Sequence, residues 1–249
     1  MKKILIILTT INIFLFFSCS NSEDSANVGK VTNYPTIEIT GANPYFIPQG
    51  GTFTEPGVIA KENGASIPFT TTATGDYRSS TTLDTSKADE YSIIYTATNK
   101  DGFKASGSRK VIVYKTGDLV NSIEGLYISN ASRNGVSPAN QQNLKYVHIW
   151  KNSNGTYGVS DAFGGWYQYG RGFGIDYITP GGIINAVDIP TNIFTFPSNP
   201  ITNTGFGGPA NITELNVNSF TKTLVLKCGW VTPTGTVYSF VSTLKQVQL

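Results

Sequence analysis

The feature that most constrains the fold is a series of short segments in which apolar and polar residues alternate, separated by turn residues. In residues 91–98, every second residue is apolar or aromatic, so these side chains share one face of a strand, and residues 99–102 (Asn-Lys-Asp-Gly) follow as a turn. No apolar pattern with the period of an amphipathic helix interrupts the series beyond the N-terminal segment. The pattern therefore predicts an all-β protein made of sandwiches or barrels.

The predicted strands form two modules. The first, residues 34–115, has about seven short strands, which is the size of an immunoglobulin-like (Ig-like) β-sandwich. The second, residues 121–249, has predicted strands at 125–130, 145–151, 156–160, 165–169, 173–178, 183–189, 212–218, 223–231 and 236–246. Several joins have hairpin length, which predicts an antiparallel meander. Such a meander most simply closes into an up-and-down, lipocalin-like β-barrel, and an open sandwich is the alternative.

The N-terminus has the parts of an export signal. A basic start precedes an apolar run at residues 4–17, which is shorter than the roughly 20 apolar residues of a membrane-spanning helix. Cys19 follows a small residue at the end of this run. We therefore predict a lipoprotein signal peptide (1–18), lipidation of Cys19 and a polar tether (19–33). The alternative is an ordinary cleaved signal peptide in which Cys19 is incidental.

Charge and cysteine content exclude several classes of function. The formal net charge is +2, and without Lys2 and Lys3 the chain is close to neutral, so it lacks the basic surface of a nucleic-acid-binding protein. Cys228 has no partner once Cys19 carries lipid, and it alternates with apolar residues, which predicts a small buried side chain. The chain has one histidine and no metal-ligand spacing, so we expect neither a metal nor a cofactor.

Four segments of the first module resemble a bacterial Ig-like repeat that is common in secreted and surface proteins, often as a spacer. They are Glu55-Pro-Gly-Val-Ile-Ala60, residues 83–87, residues 91–102 and residues 109–113. Tyr91 stands where the tyrosine of a tyrosine corner would stand, and this resemblance implies a structural role for it.

The remaining resemblance is to surface lipoproteins of the Bacteroidota. Phe16-Phe-Ser-Cys19 lacks the usual leucine and resembles the permissive lipidation signals of that group, and Glu23 and Asp24 resemble its surface-export signal. Residues 124–127 and 161–167 resemble β-rich C-terminal domains of unknown function. The resemblance to accessory lipoproteins of polysaccharide-utilisation systems implies an outer-membrane location facing the cell exterior. It also implies a glycan ligand or an outer-membrane transporter complex as partner.

Residues 163–177 are the strongest candidate for a ligand site. This segment contains six aromatic residues, five glycines, one arginine and one aspartate. Aromatic faces beside polar groups suit the apolar faces of sugar rings, although aromatic residues also commonly fill a core. The predicted ligand contacts here are Trp166, Tyr167, Tyr169, Arg171 and Asp176.

One neighbouring strand adds two candidates. Tyr146, His148 and Trp150 share one face of residues 145–151, opposite Val147 and Ile149. If Val147 and Ile149 face the core, the face with His148 and Trp150 is exposed or lines a cleft. If the barrel holds a ligand, the two faces are exchanged. Both residues therefore join the predicted ligand contacts.

Three functions are compatible with these residues. The first is non-catalytic binding of a carbohydrate or other small ligand by the second module. The second is a structural or assembly accessory of an outer-membrane nutrient-uptake complex. The third is a glycoside hydrolase, which requires two carboxylates facing one cleft, and Asp161 and Asp176 flank the aromatic segment. We expect no catalytic residues under the first two.

Overall fold

The computed structural model describes residues 31–198 and 200–249. The predicted signal peptide, Cys19 and most of the predicted tether lie outside the described residues. Within the described part, none of the helical segments is long and apolar enough to cross a membrane.

The N-terminal domain is an Ig-like sandwich of two sheets, as predicted. Its strands are β1 (Thr36–Ile39), β2 (Tyr45–Pro48), β3 (Val58–Glu62), β4 (Ala65–Ser66), β5 (Phe69–Gly75), β6 (Asp89–Thr98) and β7 (Lys104–Tyr114). One sheet has the order β1-β3-β4 and the other β2-β7-β6-β5, with β2 and β7 parallel. The alternating residues of β6 and β7 pack between the sheets, where Tyr91, Ile93, Tyr95, Val111 and Val113 are buried with Ile47.

Two buried polar side chains tie this sandwich together. The Tyr91 hydroxyl donates to the carbonyl of Asp84 at 2.8 Å, as a tyrosine corner requires. The fully buried Arg109 guanidinium pairs with the Glu55 carboxylate at 2.7 Å.

The C-terminal domain is one curled antiparallel sheet of nine strands. They are β8 (Gly125–Arg133), β9 (Leu144–Lys151), β10 (Tyr157–Val159), β11 (Gly182–Asp188), β12 (Ile193–Thr195), β13 (Ile201–Thr202), β14 (Pro209–Asn218), β15 (Thr223–Val231) and β16 (Val237–Gln246). The order is β12-β11-β10-β9-β8-β16-β15-β14-β13. The first and last strands of the domain therefore pair, as in an up-and-down barrel.

The sheet stays a half-barrel because the described residues of β12 and β13 form its two edges and do not pair with each other. These strands have three and two residues, and Pro197 and Pro200 stand between them. Proline cannot donate a ladder hydrogen bond, so this segment ends strand pairing.

Two strand predictions in the aromatic segment are wrong. Residues 165–169 and 173–178 form a five-residue π-helical turn (Trp166–Gly170) and a short 3-10 turn (Ile175–Tyr177). Gly165 and Gly174 have positive φ values of 82° and 83°, which turn the chain away from an extended path. The segment crosses the concave face of the sheet and fills it.

The core lies between this segment and the concave face. Leu224, Leu226, Cys228 and Trp230 of β15 all point into it, which confirms the predicted alternation. Burial raises the pKa of the Cys228 thiol to about 12, so this cysteine is an unreactive core residue.

Candidate functional site

The rows of side chains on the concave face are mainly apolar at the centre of the sheet, and at one end two of them finish with Arg133 and Tyr238. On β8 the inward row runs from Tyr127 through Ser129 and Ala131 to Arg133, the last residue of the strand. Phe240 of β16 lies directly opposite Arg133, and Tyr238 of the same inward row lies at the end of the sheet. An arginine therefore stands at the end of a row whose other side chains are buried.

Small residues let the aromatic segment lie close to the sheet. A Cβ at Gly164, where φ is 66°, would collide with the Ser242 side chain and lie 2.9 Å from Ser129 Oγ. This approach places the Phe163 ring on the Phe240 ring, with centroids 4.1 Å apart. Trp166 and Tyr167 follow at the next turn and are also buried.

The arginine cleft, as we name the site, is the space of about 310 Å³ lined by Arg133, Trp166, Arg171 and Tyr238, together with Asn134, Val136 and Pro138. The Arg133 guanidinium carbon lies 5.3 Å from the Trp166 ring centroid and 4.6 Å from that of Tyr238. The Arg171 guanidinium carbon lies 5.9 Å from the same Trp166 ring. Both distances to Trp166 are in the range of a cation–π interaction.

An exposed aromatic edge belongs to the same cluster of rings. Phe173 and Phe206 are 48% and 40% exposed, and each packs on the buried Tyr167, at 6.2 Å and 4.9 Å between centroids. Tyr167 in turn accepts a hydrogen bond from Arg133 Nη1 at 3.1 Å. The cleft and the exposed rings are therefore connected through Tyr167.

Asp161 and Asp176 have separate surroundings. The Asp161 carboxylate is buried and accepts the backbone N–H groups of Phe163, Gly165 and Thr179 at 2.9–3.0 Å. Burial raises the pKa of Asp161, in opposition to these hydrogen bonds. Asp176 is exposed, and neither carboxylate lines the arginine cleft. Asp161 has the contacts of a structural residue that shapes the aromatic segment.

His148 and Trp150 lie on the opposite face of β9 from the core residues Val147 and Ile149, and this face meets the Ig-like domain. His148 is 2% exposed, and its Nε2 lies 3.4 Å from Oε2 of the buried Glu90 on β6. This contact is not an aligned hydrogen bond, since Nε2 has no hydrogen-bond partner among the described residues, and it is an ion pair only when His148 is protonated. Glu90 also pairs with Lys110 of β7.

Tyr169 reaches the same junction. Its hydroxyl lies 2.9 Å from that of Tyr77 in the Ig-like domain and 3.4 Å from the Tyr146 carbonyl, to which it can donate. Gln168 Nε2 donates to the Tyr77 hydroxyl at 2.9 Å. The buried Asp89 holds this loop in place by accepting the N–H groups of Tyr77 and Arg78. We call Tyr77, Glu90, His148 and Tyr169 the domain junction.

The pKa values of Glu90 and the neighbouring Asp76 are shifted in opposite directions. Burial alone would raise the pKa of Glu90, but the nearby His148 side chain and the charge of Lys110 outweigh it, and the pKa lies below its ordinary value. Burial, followed by the charge of Glu90, raises the pKa of the neighbouring Asp76 to about 6. Glu90 is therefore the carboxylate that the junction holds ionised.

The structure thus divides the predicted ligand contacts into three groups. Trp166, Tyr167 and Arg171 belong to the arginine cleft and the rings behind it. His148 and Tyr169 belong to the domain junction, Trp150 contacts Arg78 of the Ig-like domain, and Asp176 lies on the surface. The ligand role of the first group stays a prediction. Sequence reasoning missed Arg133 and Tyr238. Their signal was an arginine and a tyrosine in register with the buried residues of their strands.

Histidine, cysteine and carboxylate side chains do not cluster in a way that could hold a metal ion within residues 31–198 and 200–249. The arginine cleft offers cations and aromatic rings, and these suit an organic or anionic ligand better than a cation.

Comparison with known proteins places these features in context. A family model for the Ig-like domain of bacterial surface proteins matches residues 37–113. A second family model, whose description reads "-like, C-terminal domain", matches residues 116–246, more than half of the chain. The crystal structure of the lipoprotein BT2262 from Bacteroides thetaiotaomicron is similar, with 25% sequence identity and a TM-score of 0.61 over 86% of this chain and all of that one. Among curated proteins, none matches the sequence.

Proposed function

The chain belongs to the family of this C-terminal domain, and we propose that it is a lipid-anchored protein of the outer-membrane surface that binds a carbohydrate or other small ligand without converting it. The Ig-like domain would hold the C-terminal domain away from the membrane. The family of its Ig-like domain is one of bacterial surface proteins, and the structural relative is described as a lipoprotein, which supports this location.

The N-terminal sequence supports a lipid anchor at Cys19. Cys19 directly follows a segment with the composition of an export signal, and the acidic Glu23 and Asp24 come soon after it. Each acyl CH₂ that enters the bilayer contributes about 0.8 kcal/mol, so a multiply acylated cysteine holds a protein firmly at a membrane.

Replacing Cys19 by alanine is expected to abolish lipidation and release the protein from the membrane fraction. The measurement is incorporation of labelled palmitate into the full chain in a Bacteroidota host, followed by fractionation. The matched control is Cys228→Ala, which should keep the label because Cys228 is a buried core residue. Protease treatment of intact cells should digest the wild-type protein if it faces the exterior. Label retained in Cys19→Ala would contradict the anchor.

The observation that carries ligand binding is the arginine cleft beside an exposed aromatic edge. A cleft of about 310 Å³ is at the lower end of the usual volumes of small-molecule sites, which are roughly 300–1,000 Å³. The exposed Phe173 and Phe206 offer aromatic surface, Tyr238 lines the cleft beside Arg133, and the two arginines offer hydrogen-bond donors. Because no carboxylate lines the cleft, the residues support binding and not glycosidic hydrolysis.

Tyr238→Ala is expected to weaken ligand binding at least about tenfold, because the substitution removes a ring face and the support of Arg133. Tyr238 is preferable to Trp166 as a probe, since truncation of a buried tryptophan costs about 3–5 kcal/mol of stability. The measurement is a glycan-array screen of the full chain, purified in detergent, followed by titration of each glycan found.

The matched control for this experiment is Phe220→Ala. Phe220 is an aromatic residue that is 95% exposed at the β14–β15 turn, at the end of β15 far from Trp230 and Tyr238. Equal affinity of Tyr238→Ala and wild-type protein would remove the cleft as the site. No binding to any glycan would favour an assembly accessory, to be followed by capture of outer-membrane partners.

A further inference from the structure

We propose that the arginine cleft recognises an anionic saccharide, in which an oxyanion of the ligand, a carboxylate or a sulfate ester, pairs with Arg133 and Arg171. This inference rests on the proposed function and names its ligand class.

The arginine cleft carries uncompensated positive charge. Arg133 and Arg171 line one cleft whose other lining residues are neutral. Among the described residues, neither guanidinium takes part in an ion pair, whereas the buried Arg109 of the Ig-like domain has Glu55 at 2.7 Å. The cleft therefore presents two positive charges that the protein itself does not neutralise.

The two arginines of the cleft have unused hydrogen-bonding capacity. A guanidinium has five N–H donors in a planar arrangement that matches the two oxygens of an oxyanion. In the described part of the chain, the Arg133 side chain donates one hydrogen bond, to the Tyr167 hydroxyl, and the Arg171 side chain donates none. Most donors in the cleft are therefore available to a ligand.

The protein positions these two arginines without using their charges in ion pairs elsewhere among the described residues. Arg133 is set by the register of β8 and lies between the Trp166 and Tyr238 rings. Arg171 is set by the π-helical turn, where its backbone N–H donates to the Trp166 carbonyl at 3.0 Å. Aromatic contacts orient a guanidinium while leaving its charge available, so both groups are arranged before the ligand arrives.

The remaining lining residues of the cleft suit the uncharged part of the ligand. Trp166 belongs to the lining of the cleft, and its buried indole N–H has no hydrogen-bond partner among the described residues. Tyr238 stands in the wall of the cleft, where its ring contacts the Arg133 guanidinium and the Trp230 ring. Donors, cations and one aromatic wall match a sugar ring that carries an acidic substituent better than an apolar molecule.

The test is an array that carries acidic glycans beside neutral counterparts. The pairs include polygalacturonate with its methyl ester, and dextran sulfate with dextran, so that the carboxylate and the sulfate are examined separately. We expect the full chain to bind acidic glycans and not their neutral counterparts. Arg133→Gln with Arg171→Gln should lower the affinity at least about tenfold, and added salt should weaken wild-type binding.

Two variants keep the result interpretable. Arg171→Gln alone changes an exposed residue, so it tests the proposal even if the double variant folds poorly. Arg78→Gln is the matched control, because Arg78 lies over the Trp150 ring at 5.5 Å in the same manner but outside the cleft. We expect Arg171→Gln to weaken binding and Arg78→Gln to leave it unchanged.

The outcomes separate this inference from the proposed function. Binding of a neutral glycan that Tyr238→Ala abolishes and the arginine substitutions leave intact would overturn the anionic ligand and keep the binding function. Equal losses in Arg78→Gln and Arg171→Gln would also overturn it, because the effect would then be one of net charge. Binding to no glycan would overturn both proposals.

Discussion

Replacing Glu90 by glutamine is expected to lower the free energy of unfolding by about 3 kcal/mol, because it leaves His148 without its charged partner inside the domain junction. Glu90 is 1% exposed and lies between His148 and Lys110. Breaking a buried ion pair by removing one partner costs about 3–5 kcal/mol. The lower end applies here, since Lys110 is 41% exposed and water can solvate it.

The pH dependence of this loss follows from the pKa of Glu90, which lies below its ordinary value. A carboxylate of this kind contributes stability above its unfolded-state pKa, and the contribution disappears as the pH falls through the folded-state pKa. The difference between wild-type protein and Glu90→Gln should therefore be largest near neutral pH, begin to shrink as the pH falls below 4.5, and vanish once the pH is below the folded-state pKa of Glu90. Asp76 acts in the opposite direction, because its pKa of about 6 is raised and its contribution is lost as the pH rises through that value.

The measurement is denaturant unfolding of the full chain, together with calorimetry that resolves the two domains. Glu90→Gln should separate one cooperative transition into two, because the substitution weakens contacts between the domains more than contacts within either. Glu38→Gln is the control, since Glu38 is an exposed acid on β1. A cost below about 0.5 kcal/mol for Glu90→Gln would show that the junction contributes little to stability.

The second large effect is expected at Asp161. Asp161→Ala leaves three buried backbone N–H groups, those of Phe163, Gly165 and Thr179, without their acceptor. Each unsatisfied buried donor costs about 1–3 kcal/mol, so we expect the C-terminal domain to lose about 3–5 kcal/mol of stability. Asp161→Asn should cost less, because one oxygen remains to accept hydrogen bonds.

Asp176→Ala is the matched control for this prediction. Asp176 is exposed, and its replacement should change stability by no more than about 0.5 kcal/mol. Thermal unfolding of the three variants gives the order of effects directly. If Asp161→Ala were as stable as Asp176→Ala, the carboxylate would not be what shapes the aromatic segment, and a chemical role for Asp161 would regain support.

Much of the sheet was predictable because strand alternation is a local property. Residues 223–231 were predicted as a strand and form β15 with the same bounds, since every second residue there is apolar and turn residues follow. The antiparallel joins followed from their short lengths. Closure was less predictable: β8 and β16 pair, but the opening lies between β12 and β13, where a few ladder hydrogen bonds decide the outcome.

The aromatic segment was wrongly predicted as strands because local alternation does not reveal turns that depend on residues distant in sequence. Its alternation of aromatic and small residues resembles a strand, yet Gly165 and Gly174 adopt positive φ. Whether a glycine turns the chain depends on what lies beneath it, and here the small residues Ser129 and Ser242 leave room for the backbone of Gly164. These serines are far away in sequence, so no local pattern contains that information.

The sequence by itself determined the class of the protein, namely two β modules with alternating inward residues, because side chains alternate along any strand whatever surrounds it. It also placed Val147 and Ile149 on one face of β9 and His148 on the other, and these assignments hold. Only the tertiary structure decided what each face meets. The Ig-like domain covers His148 and pairs it with Glu90, while the end of the half-barrel leaves Arg133 in a cleft. Burial and pairing depend on contacts between segments that are distant in sequence. These contacts give His148 a structural role and leave the arginines accessible for the ligand that we propose.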